Sequence, residues 1–111
     1  MKRQIEFYEH YFLEFYNSLD GKVKAKFQYV LDLIRQIEKV PEKFLKNFSG
    51  VDGLYEIRIE YQSNIYRIFC CFDKGNLVIL FNAFQKKSQK TPKKEIDKAI
   101  KLMEEYFLNK Q

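Results

Sequence analysis

Tryptophan is absent from these 111 residues, and histidine (one), cysteine (two), proline (two) and glycine (four) are scarce. Each scarcity removes a class of protein. So few glycines and prolines leave no room for a long flexible linker, and neither an internal repeat nor a low-complexity tract is present. No stretch approaches the roughly 18 consecutive apolar residues of a membrane span. The N-terminal MKRQIEFYEH has neither the apolar run nor the small-residue cleavage site of a signal peptide, so no membrane association and a cytoplasmic location are expected. Cys70 and Cys71 are adjacent inside a strand-like run, which points their side chains to opposite faces. Without CxxC spacing they suit core filling better than a metal site or a disulfide. The single histidine, His10, rules out a two-histidine acid/base pair and reads as a surface residue. With no carboxylate–histidine cluster at metal-ligand spacing, neither a metal nor another cofactor is expected.

What is abundant is aromatic and basic. Phe and Tyr supply the whole 17% aromatic content, so the core of the one domain expected over residues 1–111 must be largely phenylalanine. The net charge is +5, and its placement says more than its size. In FNAFQKKSQKTPKKE (81–95), Lys86, Lys87, Lys90, Lys93 and Lys94 crowd the junction between a strand-like segment and a helix. Such a cluster suits a polyanion, with RNA the first hypothesis.

Periodicity divides the chain. Residues 22–39 place Val23, Phe27, Val30, Leu31, Ile34 and Ile37 at helical spacing, with Asp20 as a start signal and Pro41 as a limit. Upstream, Gln-Ile-Glu-Phe (4–7) suits a short strand and Tyr11–Tyr16 a helix. Residues 54–61 alternate, with Tyr55, Ile57, Ile59 and Tyr61 opposite Glu56, Arg58 and Glu60. Residues 65–72 and 77–84 read as two more strands joined by Asp73-Lys74-Gly75-Asn76, the latter apolar on both faces and therefore central or covered. Thr91 suits an N-cap with Pro92 at the first helical position and Lys94 at the third, opening a helix buried through Ile96, Ala99, Ile100, Met103 and Phe107. Lysines in that first turn oppose the helix dipole, a cost that a bound anion would offset.

Two-residue turns at Gln62-Ser63 and Lys74-Gly75 would put Arg58 opposite Arg67, and Arg67 opposite Asn82. Tyr55, Ile57 and Ile59 would then share a face with Ile68, Cys70 and Phe72 and with Leu77, Ile79 and Phe81. Like charges directly opposite are destabilising, so the arginine pair needs a reason. One is neutralisation by Glu56, Glu60 or Asp73. The other is an anion site, with the guanidinium forks on phosphate oxygens, Lys86 and Lys87 at the rim and Phe84 as a stacking platform. If the arginines are unpaired on an open face, Arg67→Ala should leave stability equal or slightly higher.

GLYEIRI (53–59), YRIFCCF (66–72) and FQKKSQKTPKKEI (84–96) together resemble the RelE/ParE superfamily of toxin–antitoxin toxins. They are most similar to its HigB-like, phage-derived branch, whose members carry GLxELR, YRIF and KKTQKTP segments in this order. The resemblance implies an α+β, RelE-like fold: a short N-terminal strand and two helices, a three- to four-stranded antiparallel sheet and a C-terminal helix. It also implies a metal-independent, ribosome-dependent mRNA endoribonuclease that inhibits translation. Its partners would be the ribosome and mRNA and a helix-turn-helix, HigA-like antitoxin, with DNA bound only through the antitoxin complex. Arg67 looks like the strand arginine at the scissile phosphate, Arg58 like the basic position on the preceding strand, and Lys86 and Lys87 like the basic residues after the last strand. These four are the catalytic candidates, and Phe84, Gln89, Lys90, Lys93 and Lys94 the RNA-binding ones. Lys86 or Lys87, its pKa lowered by basic neighbours, is the expected base. Ser88 replaces a usual Thr, Cys70-Cys71 replace an aromatic pair, and no catalytic tyrosine can be matched. The alternatives are a ParE-like gyrase inhibitor that cleaves nothing, or an inactive RNA-binding or antitoxin-docking module.

Overall fold

Hydrophobic alternation in the middle of the chain builds a sheet, and helical periodicity at both ends covers its two faces. The computed structural model describes residues 2–110. The elements are β1 (Gln4–Phe7), α1 (Tyr11–Asn17), α2 (Gly21–Gln36), β2 (Leu45–Asn47), β3 (Tyr55–Tyr61), β4 (Asn64–Asp73), β5 (Leu77–Lys86) and α3 (Lys93–Asn109). The sheet has five strands in the order β1-β5-β4-β3-β2, with β1 parallel to β5 and the other pairs antiparallel. It is therefore mixed and larger than the expected three- to four-stranded antiparallel sheet. Two short edge strands make the difference: β1 joins β5 in parallel, and β2, three residues long, carries no alternation to read.

The α2 helix begins where Asp20 Oδ1 accepts hydrogen bonds from the amides of Lys22 (3.0 Å) and Val23 (3.1 Å), an N-cap that satisfies two orphan donors. It stops at Gln36, short of the expected residue 39, because Ile37 is extended. Arg3 satisfies the freed end, donating to the carbonyls of Ile34, Ile37 and Glu38. The buried stripe of α2 (Val23, Phe27, Val30, Leu31 and Ile34) packs on Ile57, Ile59, Ile68, Cys70, Val78 and Leu80. On the other face α3 seals Leu54, Phe69, Cys71, Ile79, Phe81 and Phe84 beneath Ala99 and Leu102. Cys70 and Cys71 thus fill the two cores, one on each face, as free thiols. Burial pushes both thiols up, Cys71 to about 12, so neither is a ready nucleophile.

Three expectations change here. First, the β4–β5 connection places Asp73 opposite Leu77, so three residues form the turn, with Lys74 and Gly75 at φ 54° and 79°. Further along, Phe81 and Asn82 together face Phe69, a β-bulge between the Cys70–Leu80 and Ile68–Ala83 pairs. Val78 and Leu80 therefore join the α2 side, and Leu77, Ile79 and Phe81 do not. Arg67 pairs with Phe84 instead of Asn82. Second, Pro92, not Thr91, is the N-cap of α3, and no side chain caps it. Lys93, Lys94 and Glu95 become its first three residues, so Glu95 supplies a favourable charge to the first turn. Asn82 Nδ2 donates to Glu95 Oε1 (3.0 Å) and to the Glu95 carbonyl (3.1 Å), tying the bulge to the start of the helix. Third, the inward aromatic of α3 is Tyr106 instead of Phe107, which is 40% exposed. Tyr106 donates its hydroxyl to Asp73 Oδ2 at 2.7 Å, and Lys110 Nζ reaches the same carboxylate at 2.7 and 2.9 Å.

Candidate functional site

The Gln62-Ser63 turn adopts φ 48° and 71°, the left-handed conformation at both central positions that a tight two-residue hairpin requires. It fixes the β3–β4 register so that Arg58 stands directly opposite Arg67, as a two-residue turn at Gln62-Ser63 predicts. Glu56 lies two residues before Arg58 and shares its face. Its Oε1 accepts from Arg58 Nε at 3.2 Å, while Oε2 stands 3.8 Å from Arg67 Nε. Of the three possible neutralising acids, Glu56 is the one that pairs with the arginines; Asp73 is occupied by Tyr106 and Lys110.

The pair is therefore not an open, unpaired one. Arg67 is 9% exposed and Glu56 6%. Arg67 Nη1 donates to its neighbour's carbonyl, Tyr66 O, at 3.2 Å, yet its Nε and Glu56 Oε2 have no hydrogen-bond partner. Two guanidinium groups share one carboxylate, and a net positive charge remains in a partly dry wall. Burial is the main influence lowering the pKa of Arg67, opposed by Glu56 and assisted by Arg58.

This wall opens onto a groove of about 830 Å³. Arg58 and Arg67 form one side. Gln85 and Lys86 at the end of β5, followed by Lys87, Ser88 and Gln89, form another, and the β3–β4 turn closes it with Ser63, Asn64 and Ile65. Gln85 Nε2 bonds Asn64 Oδ1 across the strands at 3.2 Å, which ties the turn to β5. Among the described residues the lining holds four basic side chains and no carboxylate. Lys86 sits on the Arg67 face, two residues beyond Phe84. Its pKa is lowered by burial first and then by Arg67, with Glu56 opposing and Arg58 adding to the effect.

The candidate residues thus divide. Arg58, Arg67, Lys86, Lys87 and Gln89 meet in the groove. Lys90, Lys93 and Lys94 are outside its lining, and Lys93 is engaged by Asp97 at 2.9 Å one turn along α3. That ion pair and Glu95 account for the lysine-rich first turn without an anion. Phe84 is only 6% exposed and packs on Phe69 at 5.8 Å between centroids, so its ring is a core element and not a stacking platform. His10 lies away from the groove, exposed beside Glu14 and Tyr11. Among the described residues no group of three His, Cys, Asp or Glu side chains could hold a metal ion. Sequence reasoning passed over Ser63, Asn64, Gln85 and Ser88 as groove residues; their position in a turn and at a strand end was the only signal.

A family model for phage-derived Gp49-like proteins matches residues 14–104, and the chain belongs to that family. Among solved structures it is similar to the archaeal RelE–RelB complex from Pyrococcus horikoshii OT3, with a TM-score of 0.57 and 19% identity over 82% of this chain and 100% of the other. The fold is that of RelE, in agreement with the RelE/ParE resemblance of the three sequence segments. No curated protein matches.

Proposed function

For this member of the phage-derived Gp49-like family, we propose the role of toxin in a type II toxin–antitoxin pair, cleaving mRNA on the translating ribosome. The observation that carries the proposal is the convergence of Arg58, Arg67, Lys86 and Lys87 on one groove whose lining contains no carboxylate. RNA brings its own nucleophile. The 2′-OH attacks the adjacent phosphorus, the P–O5′ bond breaks, and a 2′,3′-cyclic phosphate and a 5′-hydroxyl result. The enzyme must orient the phosphate, stabilise the charge that grows on its oxygens and move two protons. Arg58 and Arg67 supply fixed donors for that charge. Lys86, more readily neutral than a solvated lysine, takes the 2′-OH proton. The proton gained by O5′ comes from a cationic neighbour or from water.

So small a groove holds few nucleotides, and the ribosome would supply the remaining alignment of the message. The neighbour structure is of a RelE–RelB complex. By likeness, an antitoxin partner is proposed here too, of the helix-turn-helix, HigA-like kind, with DNA bound only through it. One observation favours a non-cleaving module instead: Glu56 partly neutralises the arginine pair. Induction in cells followed by primer extension on translated messages separates the two. New 5′ ends within reading frames, absent with Arg67→Gln, are expected; growth arrest without new ends would point to the non-cleaving alternative.

A further inference from the structure

The basic wall does not end at the groove. Arg58 and Arg67 also line a second cavity of about 240 Å³ that opens toward α2 and the segment before β2. Its cause is the shortness of β2. That strand pairs only with Tyr55–Ile57, and the last contact along this edge is Arg58 N donating to Phe44 O at 2.8 Å. Beyond it, residues 59–61 of β3 have no outer strand neighbour in the sheet. The chain turns away there and leaves a recess bounded by Lys26, Lys43, Phe44 and Glu60.

The recess is basic for the same reason as the groove. Lys26, Lys43, Arg58 and Arg67 stand against two carboxylates, the exposed Glu60 and the buried Glu56 that the arginines share. Neither lysine is held by an acid. Lys26 Nζ lies over the Tyr29 ring at 5.4 Å and Lys43 Nζ over the Phe44 ring at 5.3 Å. Arg67, nine-tenths buried with an unsatisfied Nε, forms part of both walls. Two cavities that share two guanidinium groups lie side by side along the arginine pair. A lone phosphate could use only one of them, whereas a polymer with phosphates at regular spacing uses both.

We propose that Lys26 and Lys43 form a second phosphate subsite for single-stranded nucleic acid, next to Arg58 and Arg67 and opposite Lys86, with Phe44 as the surface on which the adjoining base stacks. Phe44 packs against the α2-side core but is only half-buried, so once Lys43 swings from its ring to a phosphate it can take the stacking role that the buried Phe84 cannot fill. This inference rests on the groove being a nucleic-acid site, and it adds the path the strand takes out of that groove.

The test uses RNA oligonucleotides with 2′-O-methyl riboses, which bind but cannot be cut, and follows binding by fluorescence anisotropy at several salt concentrations. The double variant Lys26→Gln/Lys43→Gln should weaken binding of a longer oligonucleotide several-fold. The slope of log affinity against log salt should fall by about 1.4, the loss of two single-strand phosphate contacts. Binding of a dinucleotide, which only the arginine pair can hold, should not change. Phe44→Leu, which keeps an apolar side chain in place, should weaken the longer probe alone. Binding that requires Arg67 but has the same slope and affinity in the double variant overturns the second subsite and leaves the groove as proposed. Absence of binding, or binding that ignores Arg67→Gln, overturns the groove and the subsite together.

Discussion

Arg67 Nε stands 3.8 Å from Glu56 Oε2, and neither atom has a hydrogen-bond partner. At that distance the charges attract each other, but the gap exceeds the 2.7–3.2 Å or so of an N–H···O bond. A buried donor left without a partner is costly, and the cost is recovered if an incoming anion supplies the acceptor. The free protein therefore holds Arg67 charged and incompletely satisfied at the edge of the groove. Glu56 keeps the like-charge pair tolerable without cancelling it.

Arg67→Ala should therefore abolish cleavage and also lower stability by about 1–3 kcal/mol, because it strips a buried carboxylate of one cationic neighbour. An unpaired arginine on an open face would have predicted the opposite sign. Arg67→Lys keeps a charge near Glu56 and should melt closer to the parent while remaining inactive, since the fork is lost. Thermal unfolding of both variants decides the matter. An alanine variant as stable as the parent would mean that Glu56 draws nothing from Arg67.

Lys86 carries a pH prediction with a definite sign. Its pKa is lowered, chiefly by burial and then by Arg67, so its neutral form gains population at a pH below the usual lysine value of 10.5. If it takes the 2′-OH proton, the cleavage rate should rise with pH up to that lowered pKa and then level off. Lys86→Gln should remove this limb from the profile. The folded state also binds fewer protons than the unfolded chain between the lowered pKa and 10.5, so stability should rise with pH across that window. In Lys86→Gln that rise should be missing from the melting curves. An unchanged pH–rate limb in the variant would assign the base elsewhere.

The first hairpin was legible because β3 alternates and a two-residue turn joins it to β4. A one-residue slip of β3 would have moved Ile57 and Ile59 off the α2 face, so its alternation agrees with the Arg58–Arg67 pairing that the Gln62-Ser63 turn sets. The β5 strand gave no such guide. It is apolar on both faces since α2 and α3 cover both, and its sequence could not reveal a bulge at Phe81 and Asn82. That bulge moved Phe84 opposite Arg67. Burial of Phe84 was equally invisible, because an aromatic next to a basic run looks the same whether it meets a base or a helix. Glu56 was legible as a neighbour of Arg58, but the alternation does not say which of three acids turns toward the pair.

Asp73 holds the far end of α3, accepting from Lys110 and Tyr106 across the sheet. Those two hydrogen bonds, Lys110 first, lower its pKa, and they depend on the ionised form. Its contribution is therefore present above the ordinary aspartate pKa and is lost as pH falls through the lowered value. The same contact raises the Tyr106 phenol to about 12, after burial, so the tyrosine remains a donor throughout. Hydrogen exchange of residues 102–109, taken relative to the intrinsic amide rate at each pH, should be faster in acid. Asp73→Asn should show that faster exchange already at neutral pH, with a flatter acid response. Exchange that is insensitive to both changes would exclude the contact as a latch on the helix.

The two helix starts make a paired test of capping. Asp20 accepts two amide hydrogen bonds, and Asp20→Ala should cost about 1 kcal/mol. Thr91 lies one residue outside the N-cap of α3, so Thr91→Ala should stay within about 0.5 kcal/mol of the parent. Denaturant unfolding with a common slope reads both values. A Thr91 variant as damaged as the Asp20 variant would place the cap back at Thr91.

The lysines at and beyond the end of β5 divide by position, and their variants should divide by kinetics. Lys86 and Lys87 line the groove with the arginines, whereas Lys90 and Lys94 are outside it. If the first two act as the phosphate changes geometry, replacing either with Gln should slow single-turnover cleavage far more than it weakens ribosome binding. Replacing Lys90 and Lys94 with Gln should do the reverse: a modest loss of affinity, a shallower salt dependence and an unaltered cleavage step. Lys93→Gln should matter least for RNA, because its charge is already paired with Asp97. The measurements are single-turnover rates on programmed ribosomes and equilibrium binding for each variant. If Lys86→Gln and Lys87→Gln lost affinity while their cleavage step kept the parental rate, both would be phosphate anchors. Proton transfer would then have to be sought at Glu56 or Glu60, the carboxylates beside the arginines.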